Sequence, residues 1–157
     1  MARATATPSP GILPPDEHAD LEDFVGYNLK RAYVIVDADF RRALGEDGLA
    51  PRVFSALSLI VHTPGITQSD LARRLGIERS GLVAIADELE ARGFVMRKPV
   101  PGDRRVQALM PSAAGKAAYL EALETVRAHE ASLLASLSSD EVETLVALLK
   151  KIRRIGE

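Results

Sequence analysis

Apolar residues recur at helical spacing along most of the chain and predict six helices. The first is predicted from Leu21 to near Gly45, and its length suggests that it packs against more than the residues next to it in the chain. Pro51 suits the first turn of the second helix, which ends at His62-Thr63-Pro64-Gly65. The apolar positions of the first helix are Leu21, Phe24, Val25, Leu29, Ala32, Ile35, Val36 and Phe40.

Two short helices follow in the middle of the chain. Thr67 is expected to cap the third, with Asp70 in a capping-box-like position, and Gly76 ends it after Leu75. The fourth is predicted from about Arg79 to Arg92, with Gly93 after its end. The residues of the fourth helix that are predicted to be core are Leu82, Ile85 and Leu89.

A hairpin is predicted next. Phe94 to Arg97 form its first strand, Pro99 to Asp103 interrupt it, and Val106 to Met110 return. Its polar tip is basic and carries Arg97, Lys98, Arg104 and Arg105.

Two further helices complete the pattern. Pro111 and Ser112 are expected to open the fifth, which runs to about Leu134, and Ser138 with Glu141 forms a capping box for the sixth. The predicted organisation is a flexible arm over 1–20, a dimerisation helix over 21–50, a DNA-binding domain over 51–110 and C-terminal dimerisation helices over 111–157. A chain of 157 residues cannot easily bury the apolar stripes of helices one, five and six alone, so an intertwined homodimer is the better account.

Charge and composition narrow the function classes. Residues 51–110 carry nine basic and six acidic side chains, whereas residues 1–50 carry five basic and nine acidic ones. A basic middle between acidic ends is typical of a segment that faces phosphates. The absence of Cys excludes disulfides, Cys-based zinc sites and thiol redox sensing. Without a membrane-length apolar stretch or a secretory signal pattern, we expect a cytoplasmic protein without a membrane partner.

Two short helices joined by a turn and followed by a basic hairpin define a winged helix-turn-helix. The fold class is therefore mainly α with a small β-hairpin wing. The major groove of double-stranded DNA admits one α-helix, which the preceding helix braces. A hairpin beside the second helix can reach the minor groove, whose concentrated negative potential attracts Arg.

The chain here resembles the MarR family of transcriptional regulators. The resemblance rests on residues 67–76 (TQSDLARRLG), 89–95 (LEARGFV), 103–105 (DRR) and 112–115 (SAAG), and on the order of the helices and wing. It implies a dimer joined by the first and last helices, a palindromic operator and, in most members, repression. It also implies release from DNA by a small anionic or aromatic compound. By position Asp103 orients Arg105, which enters the minor groove.

The residues expected to contact DNA lie on the third and fourth helices and the wing. Where family members often have Thr, Ser or Arg, this chain has Gly81, Val83 and Ala84, so thymine methyl contacts are expected from the last two. Asp87 and Glu88 add negative charge to the fourth helix. The full set of candidates is Gln68, Ser69, Arg73, Arg79, Ser80, Val83, Ala84, Lys98, Asp103, Arg104 and Arg105.

Basic pairs in an acidic region are the candidates for holding an anionic aromatic effector or its acyl-CoA thioester. The candidate effector residues are Tyr27, Lys30, Arg31, Arg41, Arg42, Phe54 and His62. The three His residues, His18, His62 and His129, lack metal-ligand spacing, so no metal and no cofactor are expected.

Three other functions are alternatives to a ligand-responsive transcriptional regulator. No nucleophile motif, phosphate-binding loop or dinucleotide fingerprint is present, so the protein is not expected to be an enzyme. An effector-independent winged-helix repressor and a winged-helix protein-interaction module remain as alternatives. The arginines of the wing argue against the interaction module.

Overall fold

The computed structural model describes residues 20–45, 48–100 and 102–154, without the side chains of residues 103–105. The chain divides into two compact units between Ile35 and Val36. This point lies inside the first helix and coincides with none of the predicted domain boundaries, which stay a prediction. Nearly all of the predicted arm, residues 1–19, lies outside the described residues.

All six predicted helices are present. They are α1 (Val25–Leu44), α2 (Pro51–His62), α3 (Gln68–Leu75), α4 (Arg79–Ala91), α5 (Ala113–Leu133) and α6 (Ser139–Arg153). The predicted start of the first helix at Leu21 is wrong, because Leu21–Asp23 form a separate 3-10 turn. Phe24 is extended after this turn, and the Asn28 side chain donates a hydrogen bond to the Glu22 carbonyl at 2.6 Å.

The three strands form one antiparallel sheet, in the order β1 (Ile66–Thr67), β3 (Asp103–Pro111), β2 (Val95–Val100). The β2–β3 hairpin is the wing, and it is longer than predicted because Pro99 pairs with Gln107 instead of interrupting the strand. An edge strand tolerates a proline, whose missing N–H would weaken a central strand. Pro111 does not open the fifth helix, as predicted, but ends β3 opposite Val95.

The core belongs to the second unit and is built around α2, α3, α4 and β3. Its fully buried large side chains are Leu57, Ile60, Leu71, Leu82, Leu89, Val95 and Leu109. The predicted core residues of α4 are confirmed, since Leu82 and Leu89 are 0% exposed and Ile85 is 9% exposed. Each such side chain contributes about 1.5–3 kcal/mol when it leaves water. The core thereby presents the opposite face of α4 to solvent.

The two terminal helices are different. No residue of α1 or α6 within the described ranges is buried, although both carry large apolar side chains. Those on α6 include Leu145, Leu149 and Ile152, each at least 39% exposed. The predicted capping box of α6 is confirmed: Glu141 N donates to Ser138 Oγ at 3.3 Å, and Ser138 N to the Glu141 carboxylate at 2.8 Å. Over the part of the chain that is described, no helix is long and apolar enough to cross a membrane.

Candidate DNA-binding surface

The helix-turn-helix is defined by α3, the turn after it and α4. Thr67 Oγ1 accepts the backbone N–H of Asp70 at 3.1 Å and caps α3. The Thr67 hydroxyl in turn donates to the Asp70 carboxylate at 2.6 Å, and this bond, followed by the Arg73 hydrogen bond, lowers the pKa of Asp70. Gly76 ends α3 with φ 63°, a left-handed conformation that glycine adopts without strain. The chain can therefore turn sharply into α4.

The face of α4 opposite the core is open to solvent. The exposed candidate residues on it are Arg79, Ser80, Val83 and Ala84. Val83 is 41% exposed, so part of its apolar side chain is accessible on this face. On α3, Ser69 is exposed and Gln68 is half-buried. The structure thus brings the predicted residues of both helices to the helix-turn-helix, with small side chains in the middle of α4.

The wing carries the remaining candidates. Lys98 is exposed and pairs through its backbone with Ala108. The backbone of Asp103, Arg104 and Arg105 belongs to the start of β3, with Asp103 opposite Val100. The roles predicted for these three side chains stay predictions, because the side chains lie outside the described part of the structure.

Arg97, which the sequence analysis placed at the basic tip of the hairpin, binds α4 in the structure. Its guanidinium binds the carboxylates of two α4 residues, Asp87 and, at 2.7 Å, Glu90. Its side chain is only 24% exposed. Periodicity could have placed Asp87 and Glu90 one turn apart on α4, but not opposite a strand that follows the helix.

Two neighbouring arginines of α3 also have protein partners. Arg73 binds Asp70 at 2.6 Å through a side chain that is 76% exposed, so its outer surface remains accessible. Arg74 donates to Thr63 Oγ1 at 3.2 Å and so links α3 to the residue that follows α2. Both side chains are exposed in spite of these contacts.

The wing is joined to α5 by a close approach. Ser112 caps α5 by accepting Gly115 N at 2.9 Å, and its hydroxyl donates to the Gly93 carbonyl at 2.7 Å. A Cβ at Gly115 would lie 2.1 Å from the Phe94 carbonyl oxygen. The serine and the glycine of the 112–115 motif therefore allow α5 to start directly against the end of α4.

The candidate effector residues fall in both compact units. Tyr27, Lys30 and Arg31 precede the division after Ile35, and the other four follow it. Arg41 binds Asp37 at 3.0 Å and Arg42 binds Asp39 at 2.7 Å, so both predicted cations have carboxylate partners on α1 itself. They line a surface groove with Glu88 and Arg92.

Phe54 and His62 belong to an aromatic cluster that also includes two residues of α5. The Phe54 ring stacks on Tyr119 at 5.9 Å, and His62 meets the same ring edge-on at 5.4 Å. Phe40 contacts Phe54 and His129, whose Nδ1 lies 3.0 Å from the Asp39 carboxylate. The sequence prediction missed Tyr119 and His129, because α5 lies far along the chain from α2 and no local pattern joins them. Among the residues with described positions, no group of three or more His, Asp or Glu could hold a metal ion.

The fold and this surface define a winged helix-turn-helix protein. A family model described as the MarR family matches residues 47–106. A Thauera aromatica protein that bears the name of a transcriptional regulatory protein for the hcr operon is 30% identical over 138 residues, which cover 87% of this chain and 83% of that protein. The chain belongs to the MarR family and is a transcriptional regulator of the MarR type.

Solved structures agree with this assignment. The transcriptional repressor CouR bound to a 23-mer DNA duplex is 36% identical with a TM-score of 0.81, covering 91% of this chain and 99% of that one. CouR bound to p-coumaroyl-CoA is 36% identical with a TM-score of 0.77, covering 85% of this chain and 94% of that one. The resemblance to the MarR family and the winged-helix fold class are confirmed. The relatives are regulators and not enzymes, which agrees with the function class expected from the sequence.

Proposed function

We propose that the protein is a homodimeric repressor that binds a palindromic operator in double-stranded DNA and is released by an anionic aromatic compound or its acyl-CoA thioester. The observation that carries the DNA part is the solvent-exposed face of α4, with Arg79 and Ser80 in its first turn and the wing beside it. A helix whose apolar side is fixed in a core presents its other side rigidly to the major groove. The cytoplasmic location expected from the sequence suits this role.

The roles of individual residues follow from their places. Arg79 and Ser80 are proposed to read base edges, and Val83 with Ala84 to contact thymine methyls. The start of α3, with Gln68 and Ser69, and the exposed side of Arg73 are proposed to position the protein on the phosphate backbone. On the wing, Lys98 and Arg104 are proposed to bind phosphates, while Asp103 orients Arg105 in the minor groove.

A second copy of the chain is the proposed partner of the terminal helices. Both α1 and α6 expose apolar side chains that a monomer leaves in water. A dimer through helices one, five and six would bury them and would set two α4 helices about 34–36 Å apart, one turn of DNA. Light scattering that gave the monomer mass at micromolar protein would contradict this arrangement.

The effector is proposed from the relatives and from the chemistry of the candidate residues. CouR, at 36% identity, binds p-coumaroyl-CoA. In this chain Phe54 and His62 offer an aromatic surface, and Arg31, Arg41 and Arg42 offer positive charge. The last two would exchange Asp37 and Asp39 for the anionic groups of the ligand. Tyr27 and Lys30 complete the proposed set.

The test combines operator selection with ligand titration. The wild-type protein is used to select duplexes from a random pool, and a palindrome with half-sites one helical turn apart is expected. Aromatic acids and their CoA esters are then titrated by calorimetry into wild type and Arg31→Ala, with release of the selected duplex measured in parallel. Binding that leaves operator affinity unchanged, or no binding at all, would contradict the effector proposal and leave the DNA proposal standing.

A further inference from the structure

Arg97 joins the wing to α4 through two carboxylates. Its Nη1 donates to Glu90 Oε2 at 2.7 Å, and its Nη2 donates to the Asp87 carboxylate. Asp87 and Glu90 are one helical turn apart, so both oxygens approach the guanidinium from the same helix. The Arg97 backbone pairs with Leu109, a fully buried residue of the central strand. The cation is therefore held by the sheet on one side and by the helix on the other.

The burial of Arg97 separates it from the arginines available to DNA. Its side chain is 24% exposed, whereas that of Arg73 is 76% exposed. Its Nε is buried without a hydrogen-bond partner in the described part of the chain. A phosphate contact requires a guanidinium that can turn its N–H groups outward. Both terminal nitrogens of Arg97 are instead directed at α4.

The same contacts change the charge of α4. The second half of this helix carries Asp87, Glu88 and Glu90, which would repel DNA phosphates if left without partners. Arg97 pairs with two of these carboxylates, and Arg92 binds Glu88 at 3.0 Å. Two cations therefore offset two of the three negative charges on this half of the helix.

We propose that Arg97 is a positioning residue for DNA recognition. By pairing with Asp87 and Glu90 it fixes the wing on α4, so that helix and wing meet DNA as one surface, and it does not bind DNA itself. This inference rests on the proposed function, in which α4 and the wing contact the operator.

The first test compares Arg97→Gln with wild type on the palindromic duplex that wild type selects. Affinity is expected to fall about tenfold. Any fall in the slope of affinity against salt should come only with weakened wing contacts, because Arg97 itself binds no phosphate. Hydroxyl-radical protection at the minor-groove positions of the wing should weaken, while protection by α4 remains. A slope reduced by about one counterion with intact wing protection would identify a phosphate contact and overturn the proposal.

The second test removes the two carboxylates and keeps the arginine. In Asp87→Asn/Glu90→Gln, a DNA-binding arginine would be released to the phosphates, and the preference for the operator over a scrambled duplex would hold or rise. A positioning arginine loses its anchor, so this preference is expected to fall even though two negative charges have gone. A preference equal to or above that of wild type would overturn the proposal.

Controls keep the outcomes distinct. Arg92→Gln is the matched variant, since Arg92 also binds a carboxylate of α4 but lies at the end of that helix and not on the wing. This variant should keep the protection of DNA by the wing.

Thermal unfolding reports whether each variant is folded. If Arg97→Gln does not fold, Arg97→Lys replaces it, because lysine keeps the charge but cannot bind both carboxylates through two terminal nitrogens. Lysine is expected to reduce operator preference, and wild-type behaviour would count against the proposal. If wild type selects no duplex, the proposed function fails. If wild type selects a duplex and the Arg97 variants bind it as wild type does, only the positioning role fails.

Discussion

The winged domain, here the segment from Leu49 to Ala122 that holds the core, and the two terminal helices, α1 and α6, bury their apolar residues to opposite extents. Every buried residue in the described part of the chain lies between Leu49 and Ala122, whereas α1 and α6 contribute none. Yet α6 also carries an apolar stripe on one face, with Leu145, Leu149 and Ile152 aligned. The winged domain therefore encloses a core of its own, whereas the terminal helices leave an apolar face exposed among the described residues.

The largest expected effect comes from charging the exposed face of α6. Leu145→Glu/Leu149→Glu should give a monomer, because two carboxylates cannot be buried in an apolar interface. With one half-site per molecule, operator affinity should fall by more than about 100-fold, or about 3 kcal/mol. The winged domain should stay folded, since neither residue belongs to its core. Light scattering, DNA titration and circular dichroism measure the three outcomes.

The control for this variant lies on the same helix. Ala147→Glu also adds a carboxylate to an exposed position of α6, but on the side away from Leu145. It should remain a dimer. If Leu145→Glu/Leu149→Glu also remained dimeric, the contrast between the two regions would have no consequence for assembly.

The next effect concerns the wing. Arg105→Ala should weaken operator binding by about 1–3 kcal/mol per half-site and lower the salt slope, while dimerisation and unfolding stay unchanged. The control is Arg52→Ala, an exposed cation of α2 outside the proposed contacts. Equal affinity and an equal slope for Arg105→Ala and wild type would remove Arg105 from the DNA surface.

A third effect tests the packing of the winged domain itself. In Gly115→Ala the new Cβ would lie 2.1 Å from the Phe94 carbonyl oxygen, so the start of α5 must shift. We expect the free energy of unfolding to fall by about 1–3 kcal/mol. Gly81→Ala is the control, because no atom lies within 4 Å of its new Cβ, and it should be neutral or slightly stabilising. Chemical denaturation compares the two, and equal stabilities would show that the close approach is not required.

The contrast between the regions also explains what the sequence could predict. Helices, caps and the core face of α4 are local patterns, and Thr67, Gly76 and Ser138 act in the structure as their types suggest. An apolar stripe, however, has the same period whether it packs inside the chain or against a second copy. Periodicity alone therefore cannot separate α4, which is buried on one side, from α6, which is not.

Contacts between distant segments could not be predicted from the sequence because they leave no local pattern in it. β1 has two residues and exists only because it pairs with β3, so no periodic signal precedes it. Arg97 looks like any wing cation until its partners Asp87 and Glu90 are located. The sequence supplied candidates for the DNA surface, which stay predictions, and the structure was needed to show that Arg97 is held by the domain itself.

The smallest expected effect is a pH dependence that again separates the two regions. Asp70 in α3 has its pKa lowered by the Thr67 hydroxyl and then by Arg73, and Glu141 in α6 has its pKa lowered by the Ser138 backbone N–H and then by its hydroxyl. A lowered pKa in the folded state means that the ionised group stabilises the fold above its unfolded pKa. That stability is lost as the pH falls through the folded pKa. With unfolded values of about 3.9 for Asp and 4.3 for Glu, the contributions of these two carboxylates should not change between pH 5 and 8.

Below about pH 4 the two caps should act on different measurements. Asp70→Asn should flatten the acid dependence of unfolding of the winged domain, because the proton-linked bond to Thr67 is gone. Glu141→Gln should instead flatten the acid dependence of dimer dissociation, because the first turn of α6 supports the face that we propose a second copy covers. Denaturation and sedimentation, each run from pH 6 to pH 3, measure the two quantities. If Glu141→Gln altered the unfolding of the winged domain as much as Asp70→Asn does, α6 would contribute to the fold of the monomer, and the separation of the two regions would be wrong.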